Sequence, residues 1–193
     1  TPVDQTKFTQ QRSFEGNFFG NPPCNFRLIL FQTQSETMAI VKLIRKAVPS
    51  FADIGIPAAL ESLAQAKAGL FIFAGPCRSG ISTSLGAFVE RINQTRPAHI
   101  LLIEDPIEFS FESKKARITQ RQYGKDLHSI ESGLTFAKRM DVDAIVIGDL
   151  KRELPFRAIF DYLAGGHLVI LSMQTLGVQN TLEKILFAFP ESD

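Results

Sequence analysis

Residues 74–83 read Ala-Gly-Pro-Cys-Arg-Ser-Gly-Ile-Ser-Thr. Gly75 opens this stretch, Gly80 closes it, and Ser82 stands two residues further on. The outline is that of a phosphate-cradling loop, Gly-x-x-x-x-Gly-Lys-Ser/Thr. Its glycines let the backbone approach the anion, and its hydroxyl serves a magnesium ion. Where that loop presents a lysine, this chain has Ile81. If the segment turns from a strand into a helix, the N–H groups of Arg78, Ser79, Gly80, Ile81, Ser82 and Thr83 face an anion at the helix N-terminus. Two glycines at this spacing occur often by chance, so the flanking pattern has to carry the assignment.

Acidic side chains stand where later apolar runs end. Glu104 and Asp105 close "HILLIE" and precede Pro106, Glu108 follows, and Asp149 closes "DAIVIGD". Carboxylates at the ends of strands are candidate site residues. Each also has a plain reading. Glu104-Asp105-Pro106 suits a strand end and turn, and Asp149 suits a helix cap. His167, between Gly166 and an apolar run, is as compatible with a structural histidine as with a site residue.

Those residues need elements to hold them. "GLFIFA" (69–74) is a continuous apolar run, the pattern of a strand buried on both faces. Further strands are expected at 99–104, 143–149 and 167–172, and an isolated one at 26–31. Helical spacing covers 83–93, 130–140 and 153–164. Alternation of this kind predicts an α/β fold with a parallel sheet, whose ligands gather at the carboxyl ends of the strands. Gly75, Glu104, Asp149 and Ser172 fall at such ends. "GNFFGNPPCN" (16–25) reads as turn chemistry, and the Pro-Ser and Gly-x-Pro within 45–57 place a linker between domains at 47–56.

Composition narrows the classes. The chain has 193 residues, 45% of them hydrophobic, which is enough for a core. Its 21 basic and 20 acidic side chains nearly cancel, so neither nucleic acid nor an anionic surface is an expected partner. The 17 Phe read as core filling. Cys24 and Cys77 have no metal or disulfide spacing, which points to a reducing, cytoplasmic setting. No apolar run approaches the ~20 residues of a membrane span.

The segments "GLFIFAGPCRSGISTSLGAFVERIN", "HILLIEDPIEF", "SGLTFAKRMDVDAIVIGD" and "AGGHLVILSMQT" together resemble the secretion and pilus-motor ATPases of the PilT-like, twitching-motility family. The resemblance covers roughly residues 25–190, and "EDPIEF" is its most specific piece. It implies a RecA-like ATPase domain over 57–193, preceded by the end of a PAS-like domain over 1–46. It further implies a hexameric ring of identical subunits, cytoplasmic and peripheral at the inner membrane, beside a platform protein of a type IV pilus or type II secretion machine. The family continues past Pro190, and this chain begins at Thr1, so a truncated piece is expected.

Laid on that pattern, the departures fall where the chemistry is. Ile81 replaces the loop lysine, while Ser82 keeps the magnesium hydroxyl. Glu104, Asp105 and Glu108 are kept, Glu108 matching the carboxylate that activates water. Asp149 stands for the Walker B glutamate. His167 keeps the first histidine of the His box, and Gln174 replaces the second. Of the N-terminal arginines that reach a neighbour's phosphates, Arg27 is kept, and Asn25, Ser35 and Lys42 occupy the other positions. The resemblance therefore implies ATP/ADP and Mg2+ as ligands of a degenerate, catalytically impaired homologue. The alternatives are a working motor in which Arg78 or Arg121 replaces the lysine, and a nucleotide sensor without turnover.

Overall fold

In a computed structural model, residues 8–18, 25–44, 47–148, 150 and 154–189 are described. The chain divides into two units, one of residues up to Ala47 together with Glu108–Ser110, the other of Val48–Ile107 and the residues from Phe111 onward.

The first unit holds a three-stranded antiparallel sheet of β1 (Ser13–Phe18), β2 (Asn25–Gln32) and β3 (Thr37–Ile44), in that order. β2 contains the strand expected at 26–31. β1 corrects the turn reading of 16–18: Gly16 and Phe18 continue an alternating strand that pairs with Leu28 and Phe26. The rings of Phe18 and Phe26 stack with centroids 5.3 Å apart. Residues 19–24 of that reading lie outside the described residues.

The second unit is α/β. After a 3-10 segment at Ala58–Gln65 come β4 (Gly69–Gly75), α1 (Ile81–Thr95), β5 (His99–Glu104) and β6 (Arg117–Gln122). They are followed by α2 (Ile130–Arg139), β7 (Ala144–Ile147), α3 (Phe156–Leu163), β8 (Leu168–Gln174) and α4 (Val178–Leu186). The five strands form one parallel sheet in the order β4-β8-β7-β5-β6. The four expected strands are thus adjacent in one layer.

The sheet buries alternate residues on opposite faces. Ile100 and Leu102 of β5, Ala144 and Val146 of β7, and Leu168 and Ile170 of β8 pack with Leu85, Phe88, Val89 and Ile92 of α1. Leu101 and Ile103, Ile145 and Ile147, and Val169 and Leu171 pack with Leu134 of α2, Ile159 of α3 and Ile185 of α4. Each of the Val, Leu, Ile and Phe side chains among them contributes about 1.5–3 kcal/mol of burial. Residues 47–56 form a turn whose Phe51 is buried and stacked on Phe88, ring centroids 6.2 Å apart.

Two sheet assignments differ from the sequence reading. β4 was expected to be buried on both faces, but it lies at one edge of the sheet with Leu70, Ile72 and Phe73 only half-buried. An unbroken apolar run marks contact on both faces and carries no information about whether the strand has one neighbour or two. β6, sequence RITQRQ, is a strand the pattern did not announce. Its polar composition suits the opposite edge, where charged side chains are tolerated.

α1 is tied to the chain entering β6 through Asn93, which is fully buried. Its amide donates to Glu90 Oε2 (3.0 Å) and to the Glu112 carbonyl (2.9 Å), and its Oδ1 accepts from the Lys114 N–H (3.0 Å). Lys114 forms an ion pair with Glu90.

Candidate functional site

Gly75 ends β4, and its carbonyl accepts from the Thr175 N–H at 3.0 Å, joining it to the chain just past β8. The loop then curls back. A Cβ on Gly75 would stand 2.7 Å from Ser79 Oγ, so a larger residue there would turn the Ser79 side chain out of the curl. Gly80 adopts φ 94°, ψ 13° as the residue before α1, a left-handed conformation natural to glycine. Arg78 is also left-handed, at φ 65°.

The helix start is uncapped. Gly80 has no side chain to accept from α1, and the first helical bond runs from the Ser84 N–H to the Gly80 carbonyl (2.9 Å). The N–H groups of Ile81, Ser82 and Thr83 therefore lack intrahelical partners, as at any helix start. By contrast, Ser129 Oγ accepts from the Ser132 N–H at the start of α2. The donors at the start of α1 and the positive end of its dipole are therefore not taken up by a capping side chain, which suits an anion there.

Ile81 turns its side chain over the strand end, with Cγ1 3.5 Å and Cδ1 3.6 Å from where a Gly75 Cβ would be. It fills space inside the curl and supplies no charge. Of the two arginines considered as substitutes, Arg78 lies in the loop and is exposed. Arg121 does not reach it: four strand spacings, ~19 Å, separate β6 from β4. Its guanidinium donates to the Asp126 carbonyl and lies 5.6 Å from the Phe136 ring centre. That alternative is corrected by the strand order. A cation the sequence reading did not weigh is nearer, since Lys184 Nζ donates to the carbonyl of Gln174 (3.5 Å), the residue in register with Gly75. Only the return of α4 toward the end of β8 brings it there, helped by the Thr175–Thr181 hydroxyl contact of 2.6 Å.

Glu104 ends β5 and is buried. Its side chain lies over Gly148, where a Cβ would stand 2.8 Å from Glu104 Cγ and 3.3 Å from Oε1. Gln120 Nε2 donates to Glu104 Oε2 at 3.2 Å, a partner supplied by the unannounced β6. Glu108 is half-buried and belongs with the first unit, and Asp105 precedes it across a cis bond to Pro106. Asp149 lies outside the described residues. Arg27, on β2 of the first unit, is buried, with Nε 3.7 Å from Glu15 Oε1.

His167 is not brought to the loop. It precedes β8, and its carbonyl accepts from the N–H of Gly69, the first residue of β4. Six strand residues, ~20 Å, separate that end from Gly75. There its ring stacks on Tyr162, centroids 4.2 Å apart, the arrangement of a packed structural histidine. Burial, with the charge of Asp143, pushes the Tyr162 phenol up to about 12.

An uncapped helix start behind a glycine cradle, with a buried carboxylate on the same sheet end, fits a nucleotide phosphate. A family profile described as "Type II/IV secretion system protein" matches residues 26–186. The chain belongs to that family. It is 33% identical to a twitching motility protein of Neisseria gonorrhoeae over 192 residues, 98% of this chain and 51% of that one. It is 31% identical to the type IV pilus retraction ATPase PilT of Pseudomonas aeruginosa, across 87% of this chain and 49% of that one. A crystal structure of the pilus retraction motor PilT with bound ADP superposes with a TM-score of 0.91 at 29% identity, covering 99% of this chain and 56% of that one. The family member thus spans about half the length of the curated relatives it matches. Among its described residues, no helix is long and apolar enough to cross a membrane.

Proposed function

We propose that this PilT-like family member binds ATP or ADP at the Gly75–Thr83 loop and hydrolyses ATP poorly. On this reading it serves as a ring or binding subunit of a type IV pilus or type II secretion machine. The observation that carries the reading is Ile81 folded over Gly75 within an otherwise complete cradle. Backbone donors can still hold a phosphate. The side-chain charge that stabilises phosphoryl transfer is missing, and that chemistry is almost all positioning and electrostatics. Uncharged Ile81 therefore harms turnover more than binding.

The residues present fit the nucleotide and its ion. Ser82 is the hydroxyl at the helix start. When bound, Mg2+ neutralises charge on the β- and γ-phosphate oxygens. Ser82 would hold it, with Glu104 as the carboxylate at the same end of the sheet; for Glu108 and Asp149 a carboxylate role is supported by the family resemblance alone. The family resemblance supports a hexameric ring of copies, an inner-membrane platform protein as partner, and a cytoplasmic, membrane-peripheral place. It also supports a PAS-like reading of residues 1–46.

A working ATPase is the second reading, favoured by Arg78 in the loop and Lys184 beside Gln174. Steady-state phosphate release separates the two. Impaired chemistry predicts turnover near background with measurable ATP binding, whereas rates of about 1 s⁻¹ or more, in the ordinary enzyme range, refute it.

A further inference from the structure

The Glu104 side chain is held from two sides. Its Oε1 lies 3.3 Å from the Cβ position of Gly148, just past β7, and its Oε2 accepts from Gln120 Nε2 at 3.2 Å. Gln120 stands on the edge strand β6, in register with Leu102 of β5, and Glu104 is two residues further along β5. The two side chains are thus diagonal neighbours on one face of the sheet, within reach because both are long. That face is the α1 side, where Leu102 and Ile118 pack. The other end of the Gln120 amide is fixed too, since its Oε1 accepts from the Phe111 N–H at 3.0 Å. A backbone N–H can only donate, so the amide oxygen belongs toward Phe111 and the NH2 toward Glu104. The amide therefore has one orientation, set by the backbone rather than by the carboxylate.

Polar side chains on an edge strand ordinarily serve solvation, and the rest of β6 (Arg-Ile-Thr-Gln-Arg-Gln) reads that way. Gln120 is half-buried and joins a backbone donor to a carboxylate that is itself buried. Such a carboxylate is costly unless hydrogen bonds satisfy it. We propose that Gln120 is the positioning residue of Glu104. Its NH2 holds one oxygen on the β6 side, which turns the other across β7, the direction in which β8, β4 and the phosphate loop lie. The inference rests on the nucleotide reading above, with Glu104 as the carboxylate that serves the magnesium ion. Mg2+ keeps several of its waters, so a carboxylate kept in one direction can serve it through one of them.

Gln120→Glu isolates the contact. The new side chain has the same shape and keeps an oxygen for the Phe111 N–H, but it turns an oxygen instead of NH2 toward Glu104. In urea unfolding at neutral pH without nucleotide, it should raise the unfolding constant about tenfold. Adding Glu104→Gln restores a donor to the pair and should recover most of that loss. A neutral Gln120→Glu, or losses that simply add in the double variant, overturns the contact. The positioning role is read by titrating ATP with Mg2+ and again with EDTA, which gives the factor by which magnesium tightens binding. Gln120→Met fits the space without a donor, and should cut that factor about tenfold while leaving the Kd in EDTA within about twofold. Added to Glu104→Gln, it should lower the factor no further. An unchanged factor overturns the positioning role, even if ATP binding weakens as a whole. If wild type binds no ATP, the proposed function fails and that role with it, while the unfolding cycle still decides the contact.

Discussion

Replacing Ile81 by lysine returns a positive charge to the loop at the position from which isoleucine excludes it. A unit charge pair at 4 Å is worth about 4 kcal/mol at an effective dielectric near 20, which bounds the gain. One cost reduces it, and a second falls on fold stability alone. The amine gives up part of its hydration and rotamer freedom, about 1–2 kcal/mol. The aliphatic contact of Ile81 with the strand end is also lost. Because Ile81 is only half-buried, that loss is about 1 kcal/mol of fold stability and falls on free and bound protein alike. A net gain of at most ~2–3 kcal/mol in binding follows, roughly a thirtyfold to 150-fold tighter Kd for ATP. Isothermal titration of both proteins with ATP and Mg2+ measures it, with circular dichroism confirming that the variant is folded. Hydrolysis need not return, because on the family resemblance Asn25, Ser35 and Lys42 still replace arginines. An unchanged Kd in a folded Ile81→Lys variant would refute the reasoning, because it would mean that the cradle does not receive a phosphate.

Gly148→Ala places a Cβ 2.8 Å from Glu104 Cγ, so the carboxylate must leave its position or the sheet must shift. The expected cost is about 1–3 kcal/mol in urea unfolding, and an unchanged midpoint would show that Glu104 moves aside freely. At Glu90, burial pushes the carboxyl up, but hydrogen bonds from Lys114, Asn93 and Gln94, with the Lys114 charge, outweigh it and hold the group below its ordinary value of 4.5. A lowered folded value contributes stability that is present above pH 4.5 and is lost as the pH falls through the folded value. Glu90→Gln should therefore be less stable than wild type at neutral pH and lose less on acidification, as read by thermal melts from pH 7 downward. Parallel losses in the two proteins would remove Glu90 from the acid response.

Local pattern carried most of the element list. The apolar runs of β5, β7 and β8 and the helical spacing of α1, α2 and α3 are properties of neighbours in sequence. So is the glycine spacing of the loop, because the backbone conformations at Gly75 and Gly80 depend on which residues lack a Cβ. Ile81 at the lysine position was equally legible, and it supports the functional reading without any coordinates. What the chain's own pattern could not hold is pairing. That β4 lies at an edge, that polar β6 is a strand, and that Arg121 is four strands from the loop all follow from the order β4-β8-β7-β5-β6, which rests on contacts between residues distant in sequence. His167 stands at the amino end of the parallel sheet because it precedes β8, so its distance from the loop follows from its place before the strand and from all strands running the same way. The strand order also sets Gln120 of β6 beside Glu104, and the return of α4 sets Lys184 beside Gln174. Periodicity along a strand determines which face a side chain occupies. Only the packed sheet determines which side chains share that face at the same height, because register is chosen by the whole core at once.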